Sequence, residues 1–361
     1  VVHFHRFFDL ESVSNVESIE SIVIDTDSSA VESDQDTISN TVSTEESAEL
    51  INHGWFINKY GYTYLYEDSG YEQFNYSNLT LNRYVDGLNE LVNLIPETTK
   101  IYNIVVPVSS TFADIPREIY TEDNFYNKSQ SAFVSTVASK TNERINNIPI
   151  VELIEEAYGG GEEVFFRTDK NWTSVGAYYA YRAFCEAEGI SAYTLNSFPK
   201  INAGDYLGRF YLATESAEML ENPDEFICYL PMPTVNTTLS VYDYGTVYTN
   251  YILCGNNATT NTLYDIYVGR TAGRYELNTT SGGGNLLILG DSSAYPMLSY
   301  LASHYSKIDL IDPQYLDTTL AEFLKGREYN AVISMCYSTN ATSGDYIPAF
   351  NTIIGVTENN G

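Results

Sequence analysis

The chain has 361 residues, enough for one large α/β domain or one domain with a substantial insert. Its 48 Asp and Glu outweigh 18 Lys and Arg, which gives a formal net charge of −30. That charge repels phosphates and anionic headgroups, so it excludes nucleic acid as a partner and adsorption to an anionic membrane; no apolar run approaches the ~18 residues of a membrane span.

Residues 1–50 differ from the rest. From Asp9 to Glu49 there is no Lys or Arg, and Ser, Thr, Asp and Glu dominate around thinly spread apolar points. Such a composition buries too little apolar area to offset chain entropy, so the segment reads as an extended acidic arm. Residues 1–8 or 21–25 are the candidates for an added strand on the body or on a second copy, which predicts a homo-oligomer held through the arm. The chain starts at Val1 and shows no signal peptide, as expected of a processed chain.

The body spans 51–361. Residues 53–66 alternate around a Gly and predict a hairpin. Leu81, Tyr84, Val85, Leu88, Leu91 and Val92 recur at helical spacing, and Pro96 closes that helix. A β-branched strand follows at 101–108, then a helix over 130–146, a short strand at 148–154 leading into another helix, and a strand at 163–167. Residues 173–189 predict a helix with Thr173 as N-cap and Gly189 as its stop. Residues 200–280, rich in Tyr, Thr, Gly and Asn, read as a β-rich insert. Residues 285–290 are an apolar strand ending in Gly290, Asp291-Ser292-Ser293 is a turn, and Tyr295, Met297, Leu298 and Leu301 start a helix. Strand 308–311, helix 318–325 and strand 329–335 complete the alternation. The fold class is α/β, a mainly parallel doubly wound sheet flanked by helices, with the β-rich insert and the arm.

Several features carry little chemistry. The Gly282–Gly284 run has no Lys after it, so it is a flexible lead into the strand and not a phosphate loop. No cofactor motif is present, and His3, His5, His53 and His304 are too scattered for a His-rich metal site. Cys185, Cys228, Cys254 and Cys336 allow three pairings. Cys228 and Cys254 flank one β-like region and are placed to pair in an exported protein, with buried free thiols as the alternative. Tyrosine, at 32 residues, suits extracellular surfaces, sugar contacts and wet interfaces.

Ser292 stands out because a Ser between a strand's carboxyl end and a helix sits where open α/β sheets place nucleophiles. The turn Asp169-Lys170-Asn171-Trp172-Thr173, running into Gly176-Ala177-Tyr178-Tyr179-Ala180-Tyr181, is the second constellation. Together they resemble the DHHW family, SGNH hydrolase-like relatives of the alginate O-acetyltransferase proteins. Members carry Asp-His-His-Trp-Thr before a Gly-Ala-Tyr-Tyr-Ala-Tyr helix, and later Gly-Asp-Ser, His-Tyr and an Ile-Asp-x-Ile-Asp-Pro-like strand. Here these are Gly290-Asp291-Ser292, His304-Tyr305 and Ile308-Asp309-Leu310-Ile311-Asp312-Pro313. The resemblance spans about residues 51–340 and implies an SGNH/flavodoxin-like sheet.

It also implies Ser292 as the nucleophile and Asp169 as the residue orienting a base. The family's base is the His two positions after that Asp, and here the position holds Asn171, with Lys170 in place of the other His. A neutral amide does not take a serine proton near pH 7. Lys170 beside Asp169 stays protonated, and His304 lies about three helical turns on, so neither replaces the base. The family's Gly-Gly-Asn-His turn reads Gly269-Arg270-Thr271-Ala272-Gly273 here, a second departure.

The expectation is therefore a non-catalytic secreted or cell-surface protein on an O-acetyltransferase-like scaffold, self-assembling into a filament or layer. Ser292 and Asp169 would be vestigial. A carbohydrate O-acetyltransferase or acetyl-esterase using Ser292, and a module binding cell-wall or exopolysaccharide glycan, are the alternatives.

Overall fold

The computed structural model describes residues 53–251, 253–255 and 260–356, with side chains at 120 and 260–263 left aside. The arm and its two strand candidates lie outside the described residues. The expected hairpin is present: β1 (His53–Asn58) and β2 (Gly61–Tyr66) pair antiparallel, and β3 (Ser69–Tyr71) adds to β2.

The remaining strands are β4 (Lys100–Val106), β5 (Ile145–Asn147), β6 (Lys200–Tyr206), β7 (Asp224–Tyr229), β8 (Thr237–Asp243), β9 (Thr246–Tyr251), β10 (Arg274–Thr279), β11 (Asn285–Gly290), β12 (Lys307–Ile311) and β13 (Ala331–Tyr337). Eight of them form one sheet in the order β5-β4-β13-β11-β12-β10-β8-β9. The first five are mutually parallel, and β10, β8 and β9 extend the sheet antiparallel. Counted from β11, the parallel part runs 2-1-3-4-5, the flavodoxin-like order entered at its fourth strand. Every residue of β13 and all but the first of β4 and β11 are buried, as strands covered on both faces must be. The 200–280 stretch is thus partly an extension of the main sheet. Its other part is the separate β6–β7 ribbon and two short helices.

The helices are α1 (Asn78–Leu94), α2 (Arg117–Glu122), α3 (Gln130–Lys140), α4 (Val151–Gly159), α5 (Ser174–Glu188), α6 (Arg209–Thr214), α7 (Ala217–Glu221), α8 (Met297–Leu301), α9 (Leu320–Leu324) and α10 (Tyr346–Ile354). Helix α1 starts at a Ser77–Thr80 capping box and buries the six apolar residues read from its periodicity. Its end follows from Pro96, because Ile95 takes the extended backbone that a residue before proline prefers. Helices α1 and α9 each pack on α10, and α5 packs on α8.

Four expectations need correction. The helix expected over 130–146 ends at Lys140, so the strand expected at 148–154 lies earlier, as β5, and α4 already starts at Val151. The 163–167 stretch joins no sheet and makes only an isolated bridge between Phe165 and Trp172. Its apolar side chains are core all the same: Phe166 stacks on Phe226 with ring centroids 5.3 Å apart. The glycine run at 282–284 is tightly packed at its last two positions and not a loose lead there, since a Cβ on Gly283 would strike the His304 carbonyl and one on Gly284 the Asn330 side chain, while Gly282 has open space around it.

Candidate functional site

The site forms where β11 ends. A Cβ on Gly290 would come within 2.7 Å of the Met335 carbonyl, so only glycine lets β11 run this close to β13. Asp291 follows as the cap of a 3₁₀ turn over Ser292–Ala294, in the role the sequence suggested. Its Oδ1 accepts from the Ser293 N–H at 2.9 Å. Its Oδ2 accepts from the Tyr337 N–H at 2.9 Å and from Asn340 Nδ2 at 2.6 Å. A buried carboxylate is tolerable only with such donors, and here they fix the serine turn to the end of β13.

The second half comes from the turn before α5. Thr173 caps that helix by accepting from the Val175 and Gly176 N–H groups, and Gly189 ends it with a φ of 81°. Asp169 is 4 % exposed and accepts four hydrogen bonds. On Oδ1 these come from the Asn171 N–H at 2.8 Å and Asn171 Nδ2 at 2.6 Å. On Oδ2 they come from the Tyr206 hydroxyl at 2.8 Å and the Arg209 N–H at 2.7 Å. Burial, then the Asp169 charge, pushes the Tyr206 phenol upward, so it stays a donor. Gly208 makes room: a Cβ there would collide with the Asp169 carboxylate.

The structure brings Ser292, Asn171 and Asp169 into one line. The Ser292 Oγ donates to Asn171 Oδ1 at 3.3 Å. The amide orientation follows from chemistry, because an ionised carboxylate only accepts: Nδ2 must face Asp169, which leaves Oδ1 for the serine. Asn171 is 7 % exposed and stands where an imidazole would link carboxylate to hydroxyl. Its carboxamide orients the hydroxyl and has no nitrogen lone pair to take the proton.

Neither of the two rejected substitutes takes the place of Asn171, to which the Ser292 hydroxyl is bonded. His304 Nε2 bonds the Tyr181 hydroxyl at 2.8 Å and its ring stacks on Tyr193, while burial lowers its pKa. Lys170 is half-buried, and its charge is felt by the carboxyls of Glu72 and Asp312. Burial raises Glu72, and it pushes Asp312, at the carboxyl end of β12, up to about 8. Among the described residues no group of three or more His, Cys, Asp or Glu is placed to hold a metal ion.

Sequence reading missed several supports of the site. Trp172, part of the Asp169 turn, is fully buried and bridges the two motifs, its Nε1–H donating to the Ser293 carbonyl at 3.0 Å. Asp224 on β7 accepts from the Thr168 N–H at 2.8 Å and the Thr168 hydroxyl at 2.7 Å, and so anchors the turn from the insert. Burial raises the Asp224 carboxyl while these donors pull it down. Tyr206, Asp224 and Asn340 carry no local pattern that marks them.

The DHHW protein family profile matches residues 9–311, a range that begins inside the acidic segment. Among solved structures, the chain is similar to a DHHW family protein from Eubacterium siraeum, at 21% identity and a TM-score of 0.71, covering 82% of this chain and 97% of that one. It is also similar to PatB1 of Bacillus cereus, solved with a sulfonyl adduct, at 16% identity and a TM-score of 0.62, covering 83% and 98%. No curated protein matches the chain. At these identities the two structures establish a shared fold, and among the described residues no helix is long and apolar enough to cross a membrane. The profile, which takes in most of the sequence including both the Asp169 turn and Ser292, is the stronger link: the chain belongs to the DHHW family.

Proposed function

We propose that this chain is a non-catalytic extracellular or cell-surface protein that retains an O-acetyltransferase-like scaffold, and that it assembles with copies of itself, as a filament or layer, through its acidic arm. The observation that carries the first half is the 3.3 Å bond from the Ser292 hydroxyl to the Asn171 carboxamide. Losing one member of a Ser-His-Asp unit costs about 10⁴-fold in kcat. The second half rests on composition: an arm without Lys or Arg from Asp9 to Glu49 and a Tyr-rich body.

A sulfonyl fluoride tests the site, since PatB1 has been solved with a sulfonyl adduct. The parent chain should keep its mass under the reagent and leave aryl acetates unhydrolysed. Sulfonylation, or ester turnover that vanishes in Ser292→Ala, would overturn the non-catalytic reading. Negative-stain images of the full chain beside a chain starting at Ile51 test assembly, and monomers in both would remove it.

A second reading, a carbohydrate O-acetyltransferase or acetyl-esterase working through Ser292 and Asp169, is favoured by one observation. The buried Asp169 carboxylate is held by four donors in line with the Ser292 hydroxyl, the placement that a base-orienting carboxylate needs.

A further inference from the structure

The Ser292 turn shares its end of the sheet with a separate cleft of about 310 Å³. Leu289, Ile311, Arg274 and Tyr242 are register partners in one row across β11, β12, β10 and β8. The row starts three residues before Ser292 and ends two residues before Tyr244, which lines the cleft. Three strand spacings separate the two places, roughly 14 Å at ~4.8 Å each.

The hairpin joining β8 to β9 pairs Asp243 with Thr246, so its two turn residues are Tyr244 and Gly245, with φ of 44° and 82°. Two-residue turns of this kind favour Asn or Asp followed by Gly, because both positions need positive φ. A tyrosine in the first position is a strained choice, of the sort retained at ligand clamps. The residue is 65% exposed. Tyr315 lines the same cleft at 40% exposure. The turn thus presents an exposed tyrosine at the same cleft as a second one.

The charges point to a neutral ligand. Arg274 is held at 3.0 Å by Asp309 and also by Glu276, with its guanidinium over Tyr242 and Phe323, so it offers no free positive charge. Asp317 lines the cleft with Arg327, and Glu322 is paired with Lys325, so the lining carries little net charge while the whole chain is strongly acidic. An anionic polymer would be repelled. Two exposed tyrosine faces next to hydrogen-bonding side chains suit rings that are apolar on their faces and hydroxylated on their edges.

We infer that the cleft between Tyr244 and Tyr315 is a binding site for a neutral polysaccharide, distinct from the Ser292 site and on the same sheet end. It draws on the extracellular setting proposed above and not on the loss of acyl transfer. Ester turnover and glycan binding are therefore separate readouts, and one can fail without the other.

Affinity electrophoresis of the full chain in gels containing hydroxyethylcellulose, glycol chitin or alginate tests it. At least one of the two neutral polymers should retard the chain, and alginate should not. Tyr244→Asn should weaken retardation about tenfold, the loss of one aromatic contact. Tyr244→Phe should bind like the parent, and Tyr315→Ala should bind weakly. Retardation by alginate alone, by no polymer, or unchanged in Tyr244→Asn would overturn the proposal.

Discussion

The indole N–H of Trp172 donates to the carbonyl of Ser293 across 3.0 Å, and both residues are fully buried. This bond makes one rigid body of two turns 121 residues apart in sequence. Trp172→Phe leaves the Ser293 carbonyl buried and unpaired, at about 1–3 kcal/mol, beyond the loss of ring volume. Urea unfolding should show a midpoint shift of that size; a shift within error would mean that the bond is unimportant to stability.

Asn171→His restores an acceptor between Asp169 and Ser292. The carboxylate that now accepts from Asn171 Nδ2 at 2.6 Å would accept from the imidazole N–H. Aryl-acetate hydrolysis should rise at least ~10²-fold over the parent, the lower bound for a positioned base. Adding Ser292→Ala should abolish the gain. Turnover unaffected by that second change would place the chemistry elsewhere.

Asp312 makes stability depend on pH. Both folded and unfolded chains hold its proton below about pH 4. From there up to about 8 the unfolded chain releases the proton and the buried carboxyl keeps it, so stability declines as pH rises. The slope is at most ~1.4 kcal/mol per pH unit. Asp312→Asn removes this contribution, so its melting temperature relative to the parent should climb between pH 5 and pH 8. Parallel profiles would show that the carboxyl ionises normally.

The Cys228 and Cys254 thiols are buried neighbours, and their interaction, with burial, raises the Cys228 pKa. In an oxidising compartment the pair should lose two protons and two electrons to a disulfide donor and close an S–S bond. Alkylation in denaturant without reductant should then label only Cys185 and Cys336 in protein taken from its native source. Four labelled cysteines would argue against export.

Much of this site could be read from local signals. The apolar run before Gly290 placed Ser292 at a strand end, and Thr173 with Gly189 bounded α5, because caps and periodicity act over a few residues. The Asn171 substitution was visible the same way. The partners of Asp169 and Thr168 were not: Tyr206 lies 37 residues from Asp169, Asp224 56 from Thr168, and no spacing announces contacts that only the insert's folding creates. Residues 163–167 misled for a related reason. Val164, Phe165 and Phe166 are buried, and an apolar run does not say whether a sheet or other aromatics bury it.

The strand order has a consequence for how the molecule is made. β4 pairs with β13, Lys100 beside Ala331, and β5 pairs only with β4 among the described strands. On the ribosome, β4 and β5 therefore emerge well before the neighbour that completes them. Until then the apolar stretch over 101–106 has an open edge, the state most prone to mispairing and to capture by chaperones. Release of the last strand, not of the first, commits this sheet to close.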